Sequence, residues 1–124
     1  MYAYFDGSAA PNPGRMRYGV SIQDASGREI AFRNGFAGFG SNNTAEYIGL
    51  VNAIELCESL GISDVTIRGD SQLVINQITE KWRTKDMIAL KKYATSLIAK
   101  STCNFRFEHV MRHENKRADE LSWL

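Results

Sequence analysis

Apolar and polar positions along the chain follow two periods, and the switch between them sets the order of elements. Tyr2-Ala3-Tyr4-Phe5 is short, aromatic and strand-like. Ala10-Pro11-Asn12-Pro13-Gly14 holds both prolines and predicts a turn. Beyond it Tyr18-Gly19-Val20-Ser21-Ile22 alternates at period two, Ala25-Ser26-Gly27 marks another turn, and residues 29–36 read as a third strand. These segments predict an antiparallel meander. The period then lengthens. Tyr47, Leu50, Val51, Ile54 and Cys57 recur at helical spacing, and Gly61 ends the run. Val65-Thr66-Ile67 is a β-branched run, so a fourth strand follows a helix, a crossover that implies a parallel neighbour. Residues 71–80 suit a second helix. Met87, Leu90, Ala94, Leu97 and Ile98 stripe a third, residues 105–110 alternate as a fifth strand, and residues 114–124 suit a short last helix. The order βββαβααβα predicts an α/β fold: a five-stranded mixed sheet, three strands in an antiparallel meander and the others parallel, with helices packed on it.

Composition narrows the class. The chain has 124 residues, enough to bury one core, and a single domain over 1–124 is expected. It has no apolar run of 18 residues, so neither a membrane span nor a membrane partner is expected. Residues 1–6 lack a basic n-region and reach a carboxylate at Asp6, so no secretory leader is expected. Cys57 and Cys103 lie far apart in apolar stretches and read as small buried residues in a reducing cytoplasm, not as a disulfide or zinc ligands. The net charge of +1 hides an asymmetry: residues 1–80 carry net −4 and residues 81–117 carry net +7. A basic block beside an acidic one suggests a polyanion surface next to a site that gathers cations. The plainer reading is a solvated helix face with lysines for solubility.

The acidic part can be located. Asp6 ends the first predicted strand, Asp70 ends the fourth, Glu46 lies in the first turn of the first long helix, and Asp119 lies in the first turns of the last helix. Ligands of open α/β sheets collect outside the carboxyl ends of parallel strands. Four carboxylates meeting there would suit a hard divalent cation, and two such cations would clamp a phosphoryl displacement. Each acid also has an ordinary explanation. Asn43-Thr44-Ala45-Glu46 fits a capping box, Asp70 could cap the helix after it, Asp119 suits a helix N-terminus, and Asp6 could bracket the Gly7 turn. The metal reading therefore rests on the four acting together with their flanks.

Those flanks carry a resemblance. Asp6-Gly7-Ser8 with Asn12-Pro13-Gly14 and Tyr18-Gly19, then Ser41-Asn42-Asn43-Thr44-Ala45-Glu46, then Gly69-Asp70-Ser71-Gln72-Leu73-Val74, then Arg112 to Leu121 with Asn115 and Ala118-Asp119, resemble in order the four signatures of the ribonuclease HI family. The resemblance runs from residue 6 to residue 121. It implies a ribonuclease H-like fold with helices on both faces of the sheet. It implies an endoribonuclease that hydrolyses the RNA strand of RNA/DNA hybrids and leaves 3′-hydroxyl and 5′-phosphate ends. Asp6, Glu46, Asp70 and Asp119 would take the catalytic metal-ligand positions for two Mg²⁺ ions, with Mn²⁺ as a substitute. Asp6 and Asp70 would bridge or flank the metals. Gly7, Asn12, Asn42 and Gln72 match positions contacting the RNA strand or its 2′-hydroxyls, and Ser8 and Asn115 belong to the same substrate-binding signatures. Ser41 with Asn12 matches a pocket for a DNA-strand phosphate, and Trp82 an aromatic along the DNA backbone. Such short polar groups suit an A-form-like minor groove lined with 2′-hydroxyls.

Two departures from the family pattern stand out. The segment 81–86 passes straight into one helical pattern, which looks like the compact type without a basic protrusion. Arg112 occupies the position of a loop histidine found in many members, with His113 beside it as a candidate auxiliary group, while His109 alternates on the fifth strand and reads as structural. The partner implied is an RNA/DNA hybrid met by a cytoplasmic monomer. Lys85, Lys91 and Lys92 are expected to face solvent beside the duplex. A DNA-directed nuclease of the same fold and a non-catalytic hybrid-binding module are the alternatives. The Asn42 to Glu46 helix start speaks against the first, and the four acids, which repel phosphate, speak against the second. Met1 and the lack of a linker weigh against a polyprotein fragment.

Overall fold

The computed structural model describes residues 1–84 and 87–124; Lys85, named above as facing a duplex, lies outside the described residues. Five strands form one sheet in the order β3-β2-β1-β4-β5. They are β1 (Tyr2–Ala10), β2 (Gly14–Gln23), β3 (Glu29–Gly40), β4 (Asp64–Gly69) and β5 (Asn104–His109). β1, β2 and β3 pair antiparallel, and β4 runs parallel to both β1 and β5. The helices are α1 (Asn42–Ser59), α2 (Gln72–Ile78), α3 (Ile88–Lys100) and α4 (Lys116–Ser122), with a 3₁₀ turn at Arg112–Glu114. The order matches the periodicity reading, and the mixed sheet is as expected.

The main core lies between the sheet and α1. Ala3, Phe5, Val20, Ile22, Val65 and Ile67 meet Tyr47, Leu50, Ile54 and Cys57, all fully buried. α3 covers α1 on its outer side, which is why its stripe is only half-buried apart from Ala94. Both cysteines are free and buried, and burial pushes the Cys57 thiol up to about 12.

Two glycines set how closely helices approach opposite faces of β1 and β2. A Cβ on Gly7 would stand 2.1 Å from the Ala45 carbonyl oxygen of α1. A Cβ on Gly19 would stand 2.3 Å from the Ala118 carbonyl oxygen of α4. Gly19 pairs with Asp6, so the Asp6 side chain points to the α4 face while Gly7 turns to α1. Helices therefore lie on both faces, α1 in backbone contact with β1, which carries Asp6, and α4 in backbone contact with its neighbour β2.

Some boundaries differ from the sequence expectation. β1 does not end at Asp6 but continues to Ala10 against β2. What ends beside Asp6 is the parallel ladder, whose last pair is Phe5 with Gly69. The expectation of a strand-end position thus holds for the parallel half of the sheet only. α1 is capped by Ser41, whose Oγ accepts from the Thr44 N–H at 3.2 Å. Asn43 is not the cap, and Glu46 stands in the second turn, not the first, outside any capping box. Ser71 caps α2 by accepting from the Val74 N–H, so Asp70 is not a cap either. The last helix is shorter than expected because the 3₁₀ turn and Asn115 precede it.

Candidate active site

Four carboxylates reach one concavity from four elements. Asp6 comes from mid-β1, Glu46 from the second turn of α1, Asp70 from the residue after β4, and Asp119 from the first turn of α4. All four line a concavity of about 370 Å³, together with Gly7, Ser8, Asn42 and Arg112. One ligand oxygen from each of Asp6, Glu46 and Asp70 lies within 4.8 Å of the others. Asp119 stands outside that tight group but lines the same concavity and adds to the rise of the Asp6 carboxyl.

The carboxylates are strained electrostatically. Burial, then the charge of Asp70, then Asp119 push the Asp6 carboxyl up to about 8. Burial and the charges of Asp6 and Asp70 raise Glu46 well above the usual range. Burial also raises Asp70, while the Arg112 guanidinium pulls it back. Glu46 Oε1 is shut off from solvent with no hydrogen-bond partner in the protein. An all-oxygen donor set that is buried, mutually repelling and partly unpartnered fits a divalent cation.

The surrounding residues fall into three groups. Some build the rim. Ala9 N–H donates to Asn42 Oδ1 at 2.7 Å, and Asn42 N–H donates to Asn12 Oδ1 at 3.0 Å. These bonds tie the end of β1, the β1–β2 turn and the start of α1 together beside the cap Ser41. Others support the acids from behind. Asn115, grouped above with substrate contacts, is 1% exposed, and its Nδ2 donates to the Phe5 carbonyl at 2.8 Å. Its amide also favours the charged form of the Asp70 carboxylate and so offsets part of the rise that burial causes. The rest lie apart. Gln72 is exposed at the start of α2, and His113 is exposed on the 3₁₀ turn; neither lines the concavity. Trp82 lies in a separate groove of about 830 Å³ with Glu80, Lys91 and Lys92. Lys91 does not simply face solvent: its Nζ is 3.8 Å from Glu80 and its side chain is 22% exposed.

Sequence reasoning missed His109. It is not a buried structural residue but an exposed one at the end of β5, and it lines the concavity with Val110, Met111 and Trp123. The available signal was topological. His109 pairs with Gly69, the residue before Asp70, so it sits at the carboxyl end of a strand parallel to the one carrying Asp70.

Comparison with known proteins agrees with this geometry. Residues 4–123 match the family model described as reverse transcriptase-like. The chain is 35% identical over 123 residues to the ribonuclease HI of Halobacterium salinarum, covering 98% of this chain and 62% of that protein. The chain thus spans less than two thirds of that curated relative's length. Among solved structures it is similar to RNase H1 of the same archaeon, with TM-score 0.92, 36% identity, and coverage of 98% of this chain and 92% of that one. It is also similar to LC11-RNase H1, solved in complex with an RNA/DNA hybrid, with TM-score 0.92, 30% identity, and coverage of 97% and 91%. On the family match over nearly the whole chain and the likeness to RNase H1, the chain belongs to the ribonuclease HI family.

Proposed function

We propose that the protein is a metal-dependent endoribonuclease that hydrolyses the RNA strand of RNA/DNA hybrids and leaves 3′-hydroxyl and 5′-phosphate ends. One observation carries the reading: the four family carboxylates line one concavity, three of them with ligand oxygens within 4.8 Å. Asp6, Glu46, Asp70 and Asp119 would hold two Mg²⁺ ions, or Mn²⁺ in their place. When bound, the ions supply charge to the scissile phosphoryl group and acidify the attacking water.

The chain's own groups account for the rest. Burial of Asp6 and of Glu46 Oε1 takes these donors out of bulk water and restricts their geometry before substrate arrives. Arg112 adds a fixed positive charge on the Asp70 side. Asn12 and Asn42 spend their amide oxygens internally, which leaves each Nδ2 as the donor toward a substrate. With Gly7, Ser8, Ser41 and Gln72, these donors suit phosphate oxygens and 2′-hydroxyls in a wide minor groove. Contacts to a 2′-hydroxyl cannot form with DNA, and this gives strand selectivity. Trp82 and the lysines of its groove would lie along the DNA backbone. Action as a cytoplasmic monomer belongs to the same proposal.

The test is cleavage of end-labelled RNA/DNA, RNA/RNA and DNA/DNA duplexes with and without Mg²⁺ or Mn²⁺. The expected result is cut RNA in the hybrid alone, only with metal, with products that a polymerase can extend. Cleavage of the DNA duplex at a comparable rate would favour a DNA-directed nuclease. Binding of the hybrid without any cleavage would leave a binding module.

A further inference from the structure

Away from the concavity and the Trp82 groove, one surface combines exposed rings with positive charge. β2 and β3 pair Arg15 with Phe39 and Arg17 with Phe36. Between these pairs Met16 opposes both Ala37 and Gly38, a bulge in β3. Gly38 adopts φ +86°, a conformation that other residues rarely take. Met16 and Ala37 turn inward against Ala9, Ala45 and Ile48. The extra residue brings Phe36 and Phe39 out together on the other face, with ring centroids 6.0 Å apart, edge to face.

Phe39 is 75% exposed and Phe36 48%. The Arg15 guanidinium lies 5.0 Å from the Phe36 ring centroid and joins no ion pair among the described residues. The strand then runs from Phe39 through Gly40 into the Ser41 cap and Asn42 at the rim of the concavity.

Clustered exposed rings mark a contact surface. A second copy of the chain and a nucleic-acid strand could both cover them, and charge decides between the two. A two-fold contact would bring two Arg15 guanidinium groups into an apolar centre with no carboxylate to meet them, at a large desolvation cost. A single strand offers a phosphate to Arg15 and a π-face to each ring. The patch also continues into the rim of the site that would hold a duplex.

We propose that Arg15, Phe36 and Phe39 form a stacking platform for unpaired bases of a strand that runs off the duplex held at the carboxylates. The approach of that strand rests on the proposed hybrid site; the binding chemistry of the platform does not. The test pairs two measurements. One is anisotropy of a labelled single-stranded oligothymidine at low salt with metal chelated. The other is cleavage of blunt hybrids against hybrids with an unpaired tail. The Phe36→Ala/Phe39→Ala variant should bind the oligothymidine about tenfold or more weakly. Leucine at both positions should fail equally, because it is apolar but cannot stack, and Phe39→Trp should retain affinity. The wild type should show a lower KM for tailed than for blunt hybrid, and the double alanine variant should lose that difference with kcat on the blunt hybrid unchanged. Equal oligothymidine affinity in a double alanine variant of unchanged melting temperature would overturn the proposal. So would a wild-type dimer in sedimentation that the same variant dissolves, which would assign the patch to a second copy. Ring-dependent oligothymidine binding by a protein that cleaves no hybrid would keep the platform and overturn the reading of the carboxylate site.

Discussion

The acidic concavity and the Trp82 groove are both hollows in one surface, and they are built on different terms. In the concavity the clustered acids are short. Asp6, Glu46 and Asp70 project from a strand, a helix and a strand end, and tight backbone contact at Gly7 fixes the elements that carry Asp6 and Glu46 against each other. Their charges are of one sign and partly buried, so the site works against folding. In the groove the positive groups are Lys81, Arg83, Lys91 and Lys92, long side chains around a half-exposed tryptophan. Their charge costs little because water screens it. A site for chemistry needs fixed positions and accepts instability, whereas a grip on a polyanion needs only charge in roughly the right place.

The largest test of that contrast is Asp70→Asn. It removes a ligand charge without changing volume. Turnover of the hybrid should fall on the order of a thousandfold or more. The metal-free variant should also melt a few degrees higher, since one of the repelling charges is gone. Near wild-type cleavage would remove Asp70 from the ligand set, and a lower melting temperature would break the claim that the cluster opposes folding.

The second test uses pH. The Asp6 carboxyl rises from 3.8 to about 8 in the folded, metal-free protein, chiefly through burial, and Glu46 and Asp70 move the same way. Between those values the folded state binds more protons than the unfolded chain, so stability falls as pH rises from about 4 to about 8. Metal-free melting curves should therefore decline across that window, and Mg²⁺ should flatten the decline by replacing protons as the neutralising charge. Substitutions in the groove should leave the slope alone. A flat metal-free profile would contradict the burial of charge at Asp6.

These two hollows were not equally readable from the sequence. The order of strands and helices follows from hydrophobic period, and Asp70 was placed correctly because Val65-Thr66-Ile67 is an unambiguous buried strand running into it. β1 was cut short because Asp6-Gly7-Ser8 breaks the apolar alternation; those residues serve the site and the approach of α1, and their pairing with β2 needs no apolar side chain. The start of α1 was misplaced because Ser41, Asn42, Asn43 and Thr44 are all good caps, and only the Ser41 to Thr44 bond distinguishes them. His109 was hidden because its place depends on which strand lies beside β5, and alternation along one strand does not reveal that. The bulge at Gly38 is likewise a property of the pairing of β2 with β3.

The third test concerns the grip. Lys91→Glu with Lys92→Glu should raise KM for the hybrid about tenfold at low salt and leave kcat nearly unchanged, because phosphate contacts are made equally before and during reaction. The dependence of binding on salt should become shallower. Lys92→Glu alone should account for most of the effect, since Lys91 already faces Glu80. A matching fall in kcat would mean that the groove positions the reacting phosphate, and the division of labour between the two hollows would fail.

The smallest effect is the most specific to the groove. Among the described residues Glu80 is the one acid lining it, and its side chain is 74% exposed. Its contact with Lys91 at 3.8 Å is too long and too wet to contribute much stability. It does set a negative charge where a phosphate backbone would pass. Glu80→Gln keeps the side-chain shape and releases Lys91. Melting temperature should stay within about a degree. KM for the hybrid should drop about two- to threefold at low salt, and the gain should vanish as salt is raised through the range where the Debye length falls below ~10 Å. The same substitution should leave the metal-free pH profile unchanged, because none of the raised carboxylates owes its shift to Glu80. An unchanged KM at low salt would mean that no phosphate passes near Lys91, and would leave Trp82 and the Ser41–Asn42 rim as the grip on the DNA strand.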